Sequence, residues 1–316
     1  MNYNIICGEA RSALSKIESG SVRCCVTSPP YYRLRDYGSE GQIGLEHTPE
    51  QYIQKLVKVF QEVRRVLSDD GTLWVNIGDS YAGSGKGSAA YPDQLSEKQR
   101  SNAGMCGAKK VLQCDTSSYK RKDLIGIPWM LAFALRADGW YLRQDIIWAK
   151  PNPMPESVKD RCTKSHEYIF LLTKSPRYYF DAEAIKEPVA ESTIRRCEHG
   201  DGPRYCGKKY ETMSEIFYRT KSRNMYKPRS HRNKRDVWTV AIRGYKGAHF
   251  ATFPEQLITP CILAGTEAGD TVLDPFSGAG TTGIAALRNG RSYIGIEINP
   301  SYTELQEQRI KEEIML

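Results

Sequence analysis

Residues 271–283 read Thr-Val-Leu-Asp-Pro-Phe-Ser-Gly-Ala-Gly-Thr-Thr-Gly: a short apolar strand, a glycine-rich turn and the opening of a helix. Gly278, Gly280 and Gly283 fall at G-x-G-x-x-G spacing, which lets a bound group approach the backbone at a helix N-terminus. Two neighbours argue against a dinucleotide. Asp274 sets a carboxylate at the strand end beside the ligand, and Thr281 and Thr282 crowd the turn with hydroxyls. A cation bearing an amino-acid tail suits both. The next apolar run, Ser292 to Ile296, leads into Glu297, placed to accept the two hydroxyls of a ribose, which serves either ligand. A tight strand-to-helix turn without a ligand is the third reading.

Outward from this loop, strand-like and helix-like stretches alternate. Asn4 to Cys7, Val22 to Thr27 and Thr72 to Ile77 are short apolar runs bounded by turn residues. Between the last two, Thr48-Pro49-Glu50-Gln51 supplies a cap, a first-turn proline and a capping-box partner. Apolar residues then recur at 53, 56, 57, 60, 63 and 67, one face of a helix that Asp70-Gly71 ends. Further on, the pattern predicts helices over Leu124–Ala137, Pro254–Leu263, Thr281–Arg288 and Ser301–Glu313. It predicts strands over Trp140–Trp148, Tyr168–Thr173, Thr271–Leu273 and Ser292–Ile296, with a proline-rich turn at Lys150–Ser157. Such alternation predicts a mostly parallel sheet covered on both faces. Residues 80–122 lose periodicity among Gly, Ser and Lys and are expected to form a mobile loop, a candidate lid.

The net charge of +8 is concentrated in one segment. Lys186 to Tyr245 holds 15 Lys and Arg against 7 Asp and Glu, and the remaining charges cancel. Tyr205, Tyr210, Phe217, Tyr218, Tyr226 and Trp238 interleave with them, the footprint of a phosphate-backbone binder; a solvated basic surface or arm is the alternative. Arg and Lys around 219–235 read as phosphate contacts more than base readers. Nine cysteines without C-x-x-C pairing, several in apolar runs, fit free thiols in a reducing cytoplasm. No window approaches about 18 uninterrupted apolar residues, and no basic start precedes an apolar core at the N-terminus, so neither export nor membrane insertion is expected. Cys197, His199, Cys206 and His231 lack a usual zinc spacing, and no metal is expected. Cys261 after Pro260 reads as core, and His166 as a group that satisfies buried polar atoms between strands.

At the exit of the Val22 run stands Thr27-Ser28-Pro29-Pro30-Tyr31-Tyr32, two prolines stiffening the chain between a hydroxyl and two rings. DPFSGAGTT, YIGIEIN and TSPPYY together resemble the S-adenosylmethionine-dependent DNA amino-methyltransferases in the circularly permuted order called the beta group, where the catalytic motif precedes the cofactor loop. NIICGEARSAL, YGSEGQIGLE, DGTLWVNIGDSY, IIWAKPNPMPESVKDR, SHEYIFLLTKS and HFATFPEQLITPCILAGT are also family-like, so the resemblance covers most of residues 1–180 and 246–300. It implies an α/β fold with a Rossmann-like methyltransferase sheet in three parts. A catalytic half spans 1–185 and contains the 80–122 loop; a basic target-recognition region is inserted over 186–245; a cofactor-binding half spans 246–316.

The resemblance also implies a site. S-adenosylmethionine would have its methionine end held by Asp274, Phe276, Ser277, Gly278, Gly280 and Thr281 and its ribose by Glu297. Its adenine would lie near Cys7, Gly8 and Glu9, where the family usually shows Asp at the last position. Phe250 and Pro254 would close the methionine side, with a purely structural Phe250 as the alternative. The partner the resemblance implies is double-stranded DNA, and a cognate restriction endonuclease is compatible with the class. An exocyclic amine on a base is a poor nucleophile because its lone pair is delocalised into the ring, and fixed acceptors aimed at its hydrogens make it more tetrahedral. The Ser28 hydroxyl and the Pro29 carbonyl, held still by Pro29 and Pro30, are the candidate acceptors. Tyr31 offers a ring on which an extruded base can stack, and Tyr32 is a second wall or core. Asp79 would relay the amine proton or cap the turn after its strand. In the family, Ser before Pro-Pro accompanies cytosine methylated at N4 and Asp mostly adenine, so Ser28 points to N4-cytosine, with adenine N6 as the alternative. A nicotinamide-dependent oxidoreductase and a DNA-binding module without activity are the readings from other classes.

Overall fold

The structure, a computed structural model, describes residues 2–82, 119–192, 195, 230–242 and 253–314 of the 316-residue chain. Most of the expected lid and of the basic segment, together with Phe250, Cys197, His199 and Cys206, lies outside the described residues. The chain forms two compact units, Met1–Asp181 with Asp236–Leu316, and Ala182–Arg235. No helix among the described residues is long and apolar enough to cross a membrane.

The strands are β1 (Tyr3–Cys7), β2 (Val22–Thr27), β3 (Leu67–Ile77), β4 (Tyr141–Ala149), β5 (His166–Thr173), β6 (Glu187–Pro188), β7 (His231–Arg232), β8 (Val237–Thr239), β9 (Thr271–Asp274) and β10 (Ser292–Glu297). The helices are α1 (Ala10–Leu14), α2 (Pro49–Val66), α3 (Ile127–Ala137), α4 (Glu255–Gly265), α5 (Thr281–Arg288) and α6 (Pro300–Glu313). In the smaller unit β6 and β7 pair antiparallel, and Glu187 accepts from Arg232 Nε at 2.9 Å and Arg235 Nε at 2.6 Å. The larger unit carries one sheet in the order β1-β10-β9-β2-β3-β5-β4-β8. β5 alone runs against the rest, antiparallel to β3 and β4, while the other neighbours pair parallel.

Local chemistry accounts for the elements that frame the site. Thr48 Oγ1 accepts the Gln51 N–H at 3.2 Å and Pro49 occupies the first turn of α2. Its face of Tyr52, Ile53, Leu56, Val59, Phe60, Val63 and Val66 is buried, each such side chain contributing roughly 1.5–3 kcal/mol. β2 is buried along all but one of its positions, as a strand covered on both faces must be. From β2 the chain crosses through α2 to β3 on one side; from β9 it crosses through α5 to β10 on the other. Right-handed crossovers put these helices on opposite faces and make β9/β2 the point where strand order reverses.

Several elements differ from the pattern in the sequence. α2 stops at Val66, and Leu67–Gly71 is already strand: the pairing jumps from Val22↔Leu67 to Cys24↔Thr72. Arg23 holds Asp70 at 2.6 Å and Asp270 at 3.6 Å there, so Asp70-Gly71 is an irregularity within β3 rather than a helix stop. α3 begins at Ile127 instead of Leu124, because the chain enters it through left-handed Gly126 (φ 83°). α4 runs to Gly265 with Pro260 inside, and Cys261 is fully buried there. α1 and β8 are too short for periodicity to reveal. β8 lies within the segment expected as an insertion, and its Trp238, 6% exposed, packs in the main sheet instead of joining a phosphate-binding surface. His166 opens β5 with its ring edge-on to Tyr168.

Candidate active site

The reversal point of an open parallel sheet leaves a crevice at the carboxyl ends of its strands. Here those ends belong to β2 and β9, adjacent through Cys24↔Val272 and Cys25↔Leu273. Asp274, ending β9, ties them together. Its Oδ1 accepts from Thr27 Oγ1 at 2.6 Å and the Phe276 N–H at 3.0 Å; its Oδ2 accepts from Thr282 Oγ1 at 2.7 Å. Burial pushes its carboxyl up to about 6 against the pull of these donors. At 1% exposure, Asp274 is a knot between β9, β2 and the first turn of α5, turned toward its own protein.

The glycine turn is held by similar ties. Ser277 Oγ donates to the Ile296 carbonyl at 3.0 Å and accepts from Gln306 Nε2 at 2.8 Å. Gly280 sits at φ 77°, and a Cβ there would come within 2.7 Å of Gln306 Cγ. A Cβ on Gly283 would come within 2.5 Å of the buried Tyr293 ring, so the third glycine permits α5 to seat against β10. Thr281 starts α5, Phe276 packs against the core, and buried Pro254 precedes α4 with its carbonyl accepting from Leu257 N at 2.9 Å.

Beside the turn, the ends of β10 and β1 border an opening. Glu297 Oε2 accepts the Gly278 N–H at 2.8 Å, and Oε1 accepts the Asn299 N–H at 2.9 Å. Burial raises its carboxyl despite these donors. Each oxygen retains a lone pair for a ligand hydroxyl. Cys7 is exposed and lies opposite Glu297, whose carbonyl accepts the Gly8 N–H at 2.8 Å. A Cβ on Gly8 would meet nothing within 4 Å and one on Gly278 only the Phe276 carbonyl at 4.0 Å, so open space, not packed protein, lies beyond these backbones. These residues fit a ribose-bearing ligand lying across the strand ends. Glu9 caps α1: Oε1 accepts the Arg11 N–H at 2.9 Å and Oε2 the Ser12 N–H at 2.8 Å. Partial burial works against its ionisation, but those N–H bonds prevail and hold the carboxyl below its usual range.

The proline corner leaves β2 beside this opening. Tyr52 donates to the Pro30 carbonyl at 2.8 Å. Tyr32 is core: 2% exposed, tilted against Tyr52 and donating to the His47 carbonyl at 3.2 Å. Tyr31 behaves differently. Its hydroxyl donates to Glu167 Oε2 at 2.6 Å, with Asn76 Oδ1 at 3.3 Å. Burial, then the Glu167 charge, push the phenol well above its usual range, so it stays protonated. A Cβ on Gly78 would lie 2.7 Å from Tyr31 Cε2, so the ring rests on bare backbone. Asp79 follows directly, and its carboxylate accepts N–H bonds from Ser80, Gly126 and Ile127 at 2.8, 3.0 and 2.9 Å, capping α3. Lys164 Nζ donates to the Asp79 carbonyl at 2.7 Å, and burial lowers its ammonium.

Sequence reasoning passed over Asn76, Glu167 and Lys150, whose ammonium pairs with Glu167 Oε1. A signal existed for two of them. Asn76 interrupts the apolar run of β3 and Glu167 heads that of β5, and a polar residue in such a place has to find a partner.

A glycine turn and an acid-tipped strand, joined to a proline corner across a strand-order reversal, define the architecture of the S-adenosylmethionine-dependent methyltransferases. The DNA methylase family model, covering N6 and N4 enzymes, matches residues 22–308, and the chain belongs to that family. It is 48% identical over 306 residues to the Type II methyltransferase M.Cfr9I of Citrobacter freundii, covering 97% of this chain and 87% of that protein. With M.SmaI of Serratia marcescens it is 44% identical over 306 residues, 97% and 90% of the two chains. In fold it is similar to the cytosine-N4-specific PvuII DNA methyltransferase, with TM-score 0.64 and 17% identity over 98% of this chain and 86% of that one. The Thermus thermophilus protein TTHA0409, solved with S-adenosyl-L-methionine, gives TM-score 0.59 and 23% identity over 99% and 94%.

Proposed function

We propose that the chain is a Type II DNA methyltransferase that flips a cytosine out of duplex DNA and methylates its exocyclic N4 amine. The observation that carries the reading is the Thr27–Asp274 bond of 2.6 Å, which sets the proline corner beside the glycine turn. The ends of β9, β10 and β1 would hold S-adenosylmethionine, which when bound would supply an electrophilic methyl group. Glu297 would accept its ribose hydroxyls, and the backbones of Cys7, Gly8, Gly278 and Gly280 would border it. Asp274, Ser277 and Thr282 act from behind by holding the turn in shape. Ser28 and the Pro29 carbonyl accept from the target amine, and Tyr31 supplies the stacking ring, its rear face supported by Gly78. Asp79 holds the first turn of α3 next to the corner.

Ser28 is what supports cytosine over adenine, and the specificity named for the PvuII enzyme is consistent with it. The basic segment 186–245, apart from β8, supplies phosphate contacts and target recognition. The Type II class of its relatives supports a role as the modification partner of a restriction endonuclease. Buried free thiols at Cys24, Cys25 and Cys261 suit a reducing cytoplasm. The reading is tested by incubating the protein with isotope-labelled S-adenosylmethionine and DNA from a methylation-deficient host, then identifying the modified nucleoside by mass spectrometry. N4-methylcytosine is expected; N6-methyladenine would overturn the base assignment, and no label in DNA would overturn the activity.

A further inference from the structure

The end of the sheet opposite the crevice carries a cavity of about 640 Å³. Arg64 from the last turn of α2, Arg136 from the last turn of α3, Arg143 from β4 and Lys174 just beyond β5 line it, with Trp140 and Tyr141 between them. No carboxylate does. Thr173 pairs with both Thr72 and Tyr141, which puts the cavity at one end of β3, β5 and β4, while Tyr31 bonds Glu167 at the other. Six residues of chain, from Thr173 back to Glu167, separate the two ends by about 20 Å at ~3.3 Å each.

These cations lack the partners that arginines find elsewhere in the larger unit. Arg23 meets Asp70, Arg65 meets Glu62, Arg161 meets Glu156, Arg288 meets Glu255 and Arg309 meets Glu313. Among the described residues, Arg64, Arg136 and Arg143 form no ion pair. Arg136 covers the Phe133 ring at 4.9 Å and Arg143 Nε donates to the Tyr178 hydroxyl at 3.2 Å, and neither contact cancels a charge. The Arg64 guanidinium lies against Gly139, where a Cβ would stand 3.5 Å from both Nη atoms. Its Nε is buried without a hydrogen-bond partner, and so is the indole N–H of Trp140, a residue 2% exposed. Both are donors, so the lining is short of an acceptor. Lys174 Nζ reaches the Leu67 carbonyl at 2.9 Å and Asp69 at 3.0 Å, but the Asp69 side chain is 99% exposed and solvent screens the pair. Helix C-termini favour cations, which accounts for Arg64 and Arg136. It does not account for Arg143 on a strand or for the two orphaned donors.

We infer that this cavity binds a phosphate-bearing ligand of nucleotide size, at a site separate from those of the cofactor and the target base. Guanidinium forks match phosphate oxygens, and three of them with an ammonium suit an oligophosphate. The Tyr141 ring, 45% exposed, offers a face on which a base can stack. A free nucleotide and a nucleic-acid backbone share this chemistry, and competition separates them.

The experiment uses the full chain saturated with S-adenosylmethionine, which keeps adenosine out of the cofactor pocket. Calorimetry measures the binding of ATP and of inorganic tripolyphosphate to the native protein, to Arg64→Gln, to Arg143→Gln and to the double variant. Saturable one-to-one binding is expected, weakened roughly tenfold by each substitution, the scale of one charge-assisted hydrogen bond, and roughly a hundredfold by the pair. Added salt should weaken it further, as it does any phosphate contact of exposed cations. Competition then identifies the source of the phosphate. Displacement of tripolyphosphate by a short DNA duplex of unrelated sequence assigns the site to a nucleic-acid backbone, and displacement by ATP alone assigns it to a free nucleotide; either result sustains the site. Absence of binding, or binding that the double variant leaves unchanged, overturns the inference and leaves these cations as partners of the helix ends. If Arg64→Gln fails to fold, Arg143→Gln still decides, because Arg143 is exposed on its strand.

Discussion

Replacing Asp274 by asparagine isolates the charge of the knot from its hydrogen bonds. The native carboxyl titrates at about 6 against an ordinary 3.8, raised chiefly by burial. Between those values the folded chain binds more protons than the unfolded chain, so this group's contribution makes the protein more stable as pH falls from about 6 to about 4. Above pH 6 the ionised, buried carboxylate costs about 3 kcal/mol relative to its protonated form, at ~1.36 kcal/mol per pH unit. Asparagine removes that cost and keeps the contacts. Its Oδ1 still accepts from Thr27 and Phe276, while Thr282 can turn its hydroxyl toward the Val26 carbonyl, 3.4 Å away, and accept from the new amide. Asp274→Asn should therefore be at least as stable as the native chain at pH 7 and lose the native pH dependence between about 4 and 6. Asp274→Ala strands the Thr27 hydroxyl and the Phe276 N–H in a dry interior, at roughly 1–3 kcal/mol each, and should lose several kcal/mol together with cofactor binding. Urea unfolding at pH 5 and 7 with calorimetric titration of S-adenosylmethionine tests both. Equal destabilisation by asparagine and alanine, or an unchanged pH slope in Asp274→Asn, would refute the reasoning.

Gly283→Ala and Gly290→Ala separate crowding from backbone strain. The first drives a Cβ within 2.5 Å of the Tyr293 ring, whereas Gly290, at φ 76°, has nothing within 4 Å. Thermal melts should show Gly283→Ala the more harmful, at roughly 2–3 kcal/mol against about 1, and the reverse order would count against the packing of α5 on β10. Asp79→Ala should cost about 1–2 kcal/mol by uncapping α3, and Asp79→Asn less because a carbonyl oxygen remains; equal losses in urea would remove the capping role. Tyr52→Phe frees the Pro30 carbonyl, so stability should fall by about 1 kcal/mol and transfer should slow while cofactor Kd stays put. A wild-type rate would show that the corner needs no brace from α2.

Legibility in the sequence followed distance along the chain. The glycine turn, Glu297 and the proline corner are contiguous motifs, and the alternation of apolar runs with amphipathic stretches exposed the α/β class. The hydrogen bond from Tyr31 to Glu167 spans 136 residues and that from Thr27 to Asp274 spans 247. No local pattern announces such pairs. Glu9 and Asp79 illustrate the complementary difficulty: a carboxylate in a motif reads as a ligand contact, yet both accept the exposed N–H groups of a helix start. Which partner a carboxylate takes depends on what the fold brings within about 3 Å.

By itself the amino-acid sequence determined the class of fold, the two loops to which the chemistry is assigned and the residue types they present, because glycine, proline and apolar spacing act on the few bonds nearest them. Tertiary structure alone decided that those loops share one crevice, that Asp274 faces inward, and that a lysine–glutamate pair stands behind Tyr31. Sheet order brings together strand ends from opposite parts of the chain, and hydrogen bonds depend on that proximity in space, whatever the separation in number.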